Sequence, residues 1–283
     1  MFFFHFENIT AIIEAARSGK RELSLSLDLN LSQNSCLIEN NCLILPSDLC
    51  IDIDTLIPLA SDKNKIFILK DSKPVPLEIR SKSYYKLVPT KTVPILEIDG
   101  IKMHRTKDIS PLEDAENKTQ KVISQGDRVL DTCSGLGYTA VFALKAGAKQ
   151  VISTEISPEV IQLRSINPWL AHLNDSKLNV KQPQFINADI NEYIDQLDSN
   201  YFHSIIHDPP RFTSKTGDIY GKKFYSSLFR VMSRQSKLFH YTGSPKKISK
   251  QDQFVKNTIK RLESVGFSTP TFDEKLQGII AFK

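Results

Sequence analysis

The spacing of hydrophobic and polar positions changes along this 283-residue chain, and the change divides it into two regions. Near the start, apolar residues recur every three or four positions from Ile9 to Ala16, which predicts a helix over residues 1 to about 20. From Glu22 to Asp99, short runs of β-type residues alternate with turn residues, as in the strands of small sheets. We therefore predict a small β-rich N-terminal domain over residues 1–100 that helps to select the substrate. Its clearest strands are predicted at residues 23–31, 65–69, 84–88 and 95–98.

The second region combines strand-length apolar runs with segments of helical period. Its first helix is predicted from Ser110, a good cap residue, with Pro111 at the first helical position. Strands that alternate with helices form a parallel sheet covered on both faces, and such sheets bind ligands at the carboxyl ends of their strands. We therefore predict an α/β fold over residues 101–283, with a Rossmann-like, doubly wound, seven-stranded sheet. Strands are predicted near residues 129–130, 151–154, 184–186, 203–207, 237–241 and 278–282, and further helices near 139–146, 158–166, 190–196, 220–232 and 254–265.

The composition is that of an ordinary globular protein, with 40% hydrophobic residues and a net charge of +5. The chain has no run of roughly 18 to 20 apolar residues that would span a bilayer, and no secretory leader. We therefore predict a cytoplasmic protein that does not enter a membrane. Its four cysteines form no Cys-x-x-Cys pair, which favours buried free thiols over a metal or disulfide site. The sequence carries no signal for an oligomeric state.

Positive charge is concentrated between Arg211 and Arg261, where 13 Lys and Arg residues stand against two acids. A basic surface attracts phosphate groups by long-range steering and by counterion release. The segment either binds an anionic partner such as RNA or forms an ordinary solvated face, and the charge pattern leaves both interpretations open.

A candidate cofactor loop follows the first strand of the second region. The strand ends at Asp131 and leads into a helix through Gly135 and Gly137, which let the backbone approach a ligand and take positive φ. Glu155 ends the next strand, 24 positions after Asp131, close to the interval at which an acid binds ribose hydroxyls. Asp189 follows the third strand, where it could accept a hydrogen bond from an adenine amino group. The predicted cofactor contacts are Asp131, Cys133, Ser134, Gly135, Gly137, Tyr138, Thr139, Glu155, Ile156, Asp189 and Ile190.

Two nucleoside cofactors use such a loop. NAD enzymes carry Gly-x-Gly-x-x-Gly at a helix start that faces a pyrophosphate, and they tolerate alanine at the third position, where this chain has Ala140. The carboxylate of Asp131 would repel a pyrophosphate, but it suits the amino group of a methionine moiety. We therefore predict S-adenosylmethionine as the cofactor.

A polar corner follows the fourth strand, with the sequence His-Asp-Pro-Pro-Arg-Phe at 207–212. Proline fixes φ and removes N–H donors, so the carbonyls and the Asp208 side chain become acceptors that could hold a substrate N–H or O–H in line with a methyl donor. His207 or Asp208 could also accept the proton, and the alternative is that Asp208 only caps the turn. The predicted catalytic residues are Asp208, His207, Pro209, Pro210 and Arg211. The predicted substrate contacts are His104, Phe212, Tyr220, His240 and Tyr241. No metal site is predicted, because the histidines lack ligand spacing.

These motifs resemble those of class I methyltransferases, which use S-adenosylmethionine. More narrowly, Asp-Thr-Cys-Ser-Gly-Leu-Gly-Tyr-Thr-Ala at 131–140, the corner at 207–212 and Phe-His-Tyr-Thr-Gly at 239–243 look like a family of predicted methyltransferases found chiefly in archaea. The resemblance covers about residues 80–283. The chain departs from nucleic-acid amino methyltransferases at Arg211, where those enzymes usually carry an aromatic residue that stacks on the base. It also lacks the nucleophilic cysteine that RNA cytosine-C5 methyltransferases need near this corner.

We predict from these patterns a methyltransferase whose acceptor is an RNA nucleotide, in tRNA or rRNA. Aminopropyltransferases, which use decarboxylated S-adenosylmethionine, resemble the chain in their aspartate-rich corner and are one alternative. A small-molecule methyltransferase on the same fold is another, and a non-catalytic RNA-binding module is a third. The basic segment after Asp208 favours an anionic acceptor over a polyamine, and the intact corner argues against the non-catalytic module.

Overall fold

A computed structural model describes residues 1–174, 182–214, 216–243 and 249–283, with side chains from 253 onward in the last range. The chain divides into two compact units. The first comprises Met1–Pro111 and Ser165–His172, and the second comprises Leu112–Arg164 and Leu173–Lys283. The segment from residue 101 to 111 therefore groups with the first unit, whereas the sequence analysis assigns it to the second.

The first unit contains three small antiparallel sheets and one long helix, as the β-rich pattern predicts. The sheets have the strand orders β1-β6-β7, β2-β3-β4-β5 and β8-β9-β10-β11. The elements of this unit are β1 (Phe3–His5), α1 (Phe6–Arg17), β2 (Glu22–Leu25), β3 (Asn34–Glu39), β4 (Cys42–Ile44), β5 (Cys50–Asp52), β6 (Ile66–Lys70), β7 (Lys73–Pro76), β8 (Glu78–Arg80), β9 (Tyr84–Val88), β10 (Ile95–Ile98) and β11 (Ile101–Lys102).

Two predicted elements of this unit are shorter than the apolar pattern suggests. The first helix begins at Phe6, because Phe3–His5 pairs with β6 as a buried strand. The predicted strand from residue 23 to 31 ends at Leu25. Asp28 stops it, since its side chain accepts hydrogen bonds from the N–H groups of Leu31 and Ser32 and thereby closes a turn.

The prediction of four free thiols is wrong for two of the cysteines. Cys42 and Cys50 form a disulfide, with their Cα atoms 5.7 Å apart. They lie on β4 and β5, and the antiparallel pairing of these strands brings them together. Cys36 is a buried free thiol and Cys133 a half-buried one.

The second unit is a seven-stranded sheet with helices on both faces, which confirms the predicted α/β fold. The strand order is β14-β13-β12-β15-β16-β18-β17. The five strands from β14 to β16 are parallel, and β18 runs antiparallel to both of its neighbours. The elements of this unit are α2 (Pro111–Val122), β12 (Arg128–Asp131), α3 (Tyr138–Lys145), β13 (Gln150–Glu155), α4 (Pro158–Ile166), β14 (Gln184–Asn187), α6 (Ile190–Tyr193), β15 (Phe202–His207), α7 (Lys222–Val231), β16 (Met232–Tyr241), α8 (Ser249–Val265), β17 (Ser268–Asp273) and β18 (Gly278–Phe282). The short helix α5 (Pro168–Leu173) falls almost wholly in the first unit.

The central strands are buried on both faces, because successive side chains of a strand point to opposite sides. Ile205 and Leu238 pack into a cluster with residues of α7 and α8. The next residues along the same strands, Ile206 and Phe239, pack into a second cluster with residues of α2 and α3. These two layers of packing hold the carboxyl ends of the strands in fixed positions.

Candidate cofactor and acceptor site

The carboxyl ends of the parallel strands meet at one edge of the sheet, and each brings a polar side chain there. Asp131 is the last residue of β12, and Glu155 is the last residue of β13. Asp189 follows β14 by two positions, Asp208 follows β15 directly, and Tyr241 ends β16. The fold therefore gathers at one edge five of the residues predicted for cofactor and acceptor.

Asp131 is a buried carboxylate with one oxygen left to bind a ligand. Its Oδ2 accepts hydrogen bonds from Ser153 at 2.8 Å and from Thr139 at 3.2 Å. Its Oδ1 has no hydrogen-bond partner within the part of the chain that the structure describes. Burial raises the pKa of Asp131 to about 7, and the charges of Asp208 and Glu155 act in the same direction. A cationic group at Oδ1 would satisfy this oxygen and stabilise the ionised carboxylate.

The loop after Asp131 takes the shape that its two glycines permit. Gly135 has a φ of 49°, and Gly137, the residue before α3, has a φ of 85°. A Cβ built on Gly135 would meet no atom within 4 Å, so open space lies in front of this backbone. The Ser134 side chain is buried below the loop and accepts a hydrogen bond from Arg164 at 2.7 Å. Arg164 therefore supports the loop through the buried Ser134, and the loop is open to a ligand at Gly135.

Glu155 ties the end of β13 to the same loop. Its two oxygens accept hydrogen bonds from the N–H groups of Gly135 and Ser157, both at 3.0 Å. Burial raises the pKa of Glu155, while these two N–H groups and the charge of Arg164 lower it. The guanidinium of Arg164 stacks on the Phe185 ring at 4.0 Å. Arg164 is absent from the predicted site residues, yet it supports the loop through Ser134.

The other three predicted contacts at the ends of β13 and β14 differ in how exposed they are. Asp189 accepts hydrogen bonds from the backbone and the side chain of Asn191 through Oδ1, and so caps α6. Ile190, which is predicted to pack on the adenine ring, is 5% exposed and packs in the core, so that contact stays a prediction. Ile156, directly after Glu155, is 62% exposed and supplies the apolar surface that a nucleoside would need at this edge.

Asp208, in the polar corner at residues 207–212, forms a buried ion pair that was not predicted from the sequence. Lys118, on α2, places its Nζ 2.7 Å from Oδ2 of Asp208 and 2.6 Å from Oδ2 of Asp114. The same ammonium lies 4.6 Å from the centre of the Tyr241 ring. Burial lowers the pKa of Lys118, but the two carboxylates outweigh it and raise the pKa to about 12. The Asp114-x-x-x-Lys118 spacing on a predicted helix was the available signal.

His207 is a structural residue rather than the proton acceptor that the sequence analysis considers. Its Nε2 lies 3.0 Å from the carbonyl oxygen of Ile219, which can only accept, so Nε2 carries the proton. Nδ1 therefore accepts from the Thr132 hydroxyl at 2.7 Å. Burial lowers the pKa of His207 to about 3, so the ring stays neutral. Both nitrogens are engaged and the side chain is fully buried, which leaves Asp208 as the group that a substrate can reach.

The predicted substrate contacts on the aromatic side divide in the same way. Tyr220 is buried and donates to the carbonyl of Pro210 at 2.8 Å, and the fully buried His240 is hydrogen-bonded to Tyr225, also at 2.8 Å. These side chains, 3% and 0% exposed, present little surface to a substrate, and their role as substrate contacts stays a prediction. Phe212 is 54% exposed, although its ring packs 5.5 Å from the ring of Tyr220. It is the aromatic surface that the corner offers.

The other predicted residues occupy several environments. Pro209 is buried, whereas Pro210 and Arg211 are exposed. Tyr138 is buried, and burial raises the pKa of the Cys133 thiol well above its ordinary value, so the thiol is a poor nucleophile. His104 belongs to the first unit, where its Nδ1 accepts from the N–H of Leu96 at 3.3 Å, and its substrate role stays a prediction.

The basic segment from 211 to 261 is only partly visible. Lys215 and residues 244–248 lie outside the described residues, as do the side chains of 249–252. The exposed cations within the described part of this segment are Arg211, Lys222, Lys223, Arg234, Lys256 and Lys260. Among the described residues, no three His, Cys, Asp or Glu side chains are grouped to hold a metal ion, and none of the helices is long and apolar enough to cross a bilayer.

This set of groups fits S-adenosylmethionine. The orphaned oxygen of Asp131 suits its ammonium group, the open space at Gly135 admits a ligand against the loop, and Ile156 suits its adenine ring. A pyrophosphate would meet the charges of Asp131 and Glu155, which disfavours a dinucleotide.

Comparisons of sequence give two informative similarities, although no protein-family model matches the chain. The chain is 39% identical to the uncharacterized protein MJ1233 of Methanocaldococcus jannaschii over 234 residues, which cover 82% of this chain and 78% of that protein. It is 30% identical over 173 residues to the ribosomal RNA large subunit methyltransferase I of Vibrio vulnificus. That match covers 56% of this chain and 42% of the Vibrio enzyme, so the chain spans less than half of that enzyme's length.

Comparison of structures gives the fold. The chain is similar to spermidine synthase from Thermotoga maritima, with a TM-score of 0.56 over 76% of this chain and 77% of that one. The sequence identity is 16%, so this likeness shows a shared architecture and says nothing of the reaction.

Proposed function

The chain belongs to the same family as MJ1233 of Methanocaldococcus jannaschii, and we propose that it is an S-adenosylmethionine-dependent methyltransferase that acts on RNA. The observation that carries the proposal is the buried Oδ1 of Asp131, which has no partner among the described residues and lies beside an open two-glycine loop. A buried carboxylate oxygen without a donor is costly, and a ligand ammonium removes that cost.

The residues of the loop and the strand ends would hold the cofactor. Asp131 would bind the amino group of the methionine moiety, and Glu155 would accept from the ribose hydroxyls while it keeps the loop in place through Gly135. Ile156 would pack on the adenine, and Asp189 would stand at its amino edge. When bound, the cofactor supplies a methyl group on a sulfonium, which is electrophilic.

The acceptor would bind at the corner after β15. Asp208, whose side chain is 24% exposed, can accept a hydrogen bond from an N–H or O–H of the acceptor. The buried Pro209 beside it has no N–H to compete for that carboxylate. Orientation and exclusion of water supply much of the catalysis in a displacement, so these groups need only to position the acceptor and receive its proton.

Two observations support RNA as the substrate. The relative from Vibrio vulnificus is named a ribosomal RNA methyltransferase, and it matches more than half of this chain. The corner also presents a cation, Arg211, beside the exposed ring of Phe212. A cation and an aromatic face together suit the phosphate and the base of a nucleotide.

The proposal is tested by binding and by transfer. Isothermal titration should detect S-adenosylmethionine, with a weaker signal for its decarboxylated form, which lacks the carboxylate. The protein should then transfer a labelled methyl group to RNA from cells that lack the gene, and less to RNA from cells that carry it. Binding of neither compound would overturn the cofactor assignment. Preference for the decarboxylated form, with a polyamine as the product, would replace methyl transfer by aminopropyl transfer.

A further inference from the structure

A buried lysine stands behind the acceptor corner. Lys118 is 4% exposed, yet it carries a positive charge, and the rings of Phe239 and Tyr241 lie near its ammonium. Its ammonium contacts the carboxylates of Asp114 and Asp208 at 2.6 and 2.7 Å, and it lies over the face of Tyr241. A buried ion pair is often no more stabilising than apolar residues of the same volume, so the stability of the fold does not by itself explain this arrangement.

The geometry fixes one oxygen of Asp208. Asp114 and Lys118 lie one turn apart on α2, so their ion pair limits where the ammonium can lie. Two carboxylates and an aromatic face surround the ammonium, which leaves it little freedom to move. Oδ2 of Asp208 is therefore anchored, and the carboxylate keeps the same direction toward the acceptor side.

The charge of Lys118 also affects how strong a base the carboxylate of Asp208 is. A carboxylate paired with an ammonium is a weaker base than an unpaired one, but it remains a good hydrogen-bond acceptor. A polyamine nitrogen is protonated near neutral pH and must lose a proton before it can attack. A neutral amine, amide or hydroxyl needs only to be oriented, and its proton can leave as the new bond forms.

We infer that Lys118 is a positioning residue that commits Asp208 to bind a neutral, hydrogen-bearing nitrogen or oxygen of the acceptor. This inference rests on the proposed methyltransferase activity and narrows its substrate class. During transfer, the acceptor atom forms a bond to the methyl carbon, the carbon–sulfur bond breaks with its electrons left on sulfur, and the acceptor's proton passes to Asp208 or to water.

Substitution of Lys118 separates positioning from folding and from cofactor binding. Lys118→Met should lower kcat on RNA by about 10- to 100-fold, because the carboxylate loses its anchor. The Kd for S-adenosylmethionine should stay within about threefold, since Lys118 touches Asp208 rather than the loop. Lys118→Arg keeps the charge and the donors. Its loss of kcat, expressed as a logarithm, should be no more than half of the loss in Lys118→Met. Lys118→Gln keeps a donor without the charge and serves as the second variant where Lys118→Met does not fold.

Two controls make the test selective. Lys121→Met changes a lysine on the same helix whose side chain is 53% exposed, and it should leave kcat, KM and Kd unchanged. Asp114→Asn keeps the pair between Lys118 and Asp208 but removes the charge of one of the two carboxylates that hold the ammonium, so it should lower kcat by less than Lys118→Met does. If Asp114→Asn costs as much as Lys118→Met and Lys118→Arg restores no activity, the charge and donors of Lys118 do not position Asp208 and the inference is wrong.

The position of the methyl group gives an independent readout. Mass spectrometry of the nucleosides should find it on a nitrogen or oxygen that bears hydrogen in the unmodified RNA, such as an exocyclic amine, and methylation of a ring carbon such as C5 of cytosine would contradict the inference. Methylation of a ring nitrogen without hydrogen, such as N7 of guanine, would overturn the inference while the methyltransferase assignment survives. If the wild-type protein transfers no methyl group, the proposed function fails and the inference falls with it. A folded Lys118→Met variant with wild-type kcat and KM would refute the role of Lys118 alone.

Discussion

The carboxylate of Glu155 accepts a hydrogen bond from the backbone N–H of Gly135 at 3.0 Å, although the two residues lie on different segments of the sheet edge. One side chain thus shapes the cofactor loop and also stands where ribose hydroxyls would bind. We expect Glu155→Ala to weaken binding of S-adenosylmethionine by about 10- to 100-fold, the usual range for a lost hydrogen bond to a charged group. Isothermal titration measures the change.

Glu263→Ala serves as the matched control for this substitution. Glu263 is an exposed carboxylate near the end of α8, so its removal should leave the affinity unchanged. Equal affinity in Glu155→Ala and in the wild-type protein would remove Glu155 from the site.

Asp131 should couple cofactor binding to pH. Burial raises the pKa of Asp131 to about 7, so the carboxyl group is mostly protonated at pH 6 before binding. A bound ammonium requires the ionised form, and binding at pH 6 therefore releases a proton. Affinity should rise about five- to tenfold from pH 6 to pH 7.5 and change little above that. The binding enthalpy at pH 6 should differ between buffers of different ionisation enthalpy.

Asp131→Asn is the control for this linkage. The amide does not titrate, so the variant should bind more weakly and show neither the pH dependence nor the buffer dependence. For the stability of the protein without ligand, the pH dependence has the opposite sign to that of cofactor affinity. Its stability should fall as the pH rises from about 4 to 7, because the unfolded chain loses the Asp131 proton first. Proton release by Asp131→Asn equal to that of the wild-type protein would assign the linkage to another group.

Gly135→Ala should affect binding more than folding. Gly135 and Gly19 both have positive φ, and a Cβ on either would meet no atom within 4 Å. Alanine at each position should therefore cost a similar free energy of unfolding, about 1 kcal/mol. Only at Gly135 does the new methyl group enter space assigned to the cofactor, so only Gly135→Ala should lose at least about tenfold in affinity. Denaturant titration and calorimetry measure the two effects, and equal affinity in both variants would contradict the prediction.

Phe212→Ala should weaken binding of the acceptor and spare the cofactor. Stacking on an aromatic ring contributes about 1 to 3 kcal/mol per base, so KM for RNA should rise by about 5- to 100-fold. The control is Phe282→Ala, which removes a 37% exposed phenylalanine of β18. Phe282 pairs with Lys237, so it lies away from the carboxyl end of β16. Steady-state kinetics at saturating S-adenosylmethionine separates the two. An equal rise of KM in both variants would show a general loss of surface, with no stacking at Phe212.

The disulfide of the first unit gives a direct chemical prediction. Alkylation of the unfolded, unreduced protein should modify Cys36 and Cys133 only, and reduction should expose Cys42 and Cys50 as well. Closure of this short loop should stabilise the first unit by about 2.5 kcal/mol in the chain-entropy account. Mass spectrometry counts the modified thiols, and four modified thiols before reduction would disprove the link.

Local patterns were sufficient for most elements of the sheet. The helix predicted at residues 158–166 is α4 with the same bounds, and each strand predicted between Val129 and His207 is present. The strand β17 was missed because Ser268–Asp273 is mainly polar and contains Pro270, a residue that breaks most strand patterns. It forms at the sheet edge, where a missing N–H donor leaves no ladder bond unmade.

The site was predictable only where one short segment carries it. The loop from Asp131 and the corner at Asp208 lie on single strand ends, so motif spacing was enough to find them. The ion pair between Lys118 and Asp208 joins residues 90 positions apart, and only the packing of α2 below the sheet creates it. The burial of His207 likewise depends on a contact with Ile219, which no local pattern records.

Two hydrogen bonds within the described residues hold the acceptor corner: Tyr220 donates to the carbonyl of Pro210, and His207 donates to the carbonyl of Ile219. Both fasten the ends of the intervening segment and involve none of its own side chains. Substitutions inside that segment, at positions such as Arg211 and Phe212, therefore leave the strand end where it is. We therefore expect this corner to tolerate changes in the side chains that would contact an acceptor without displacement of Asp208.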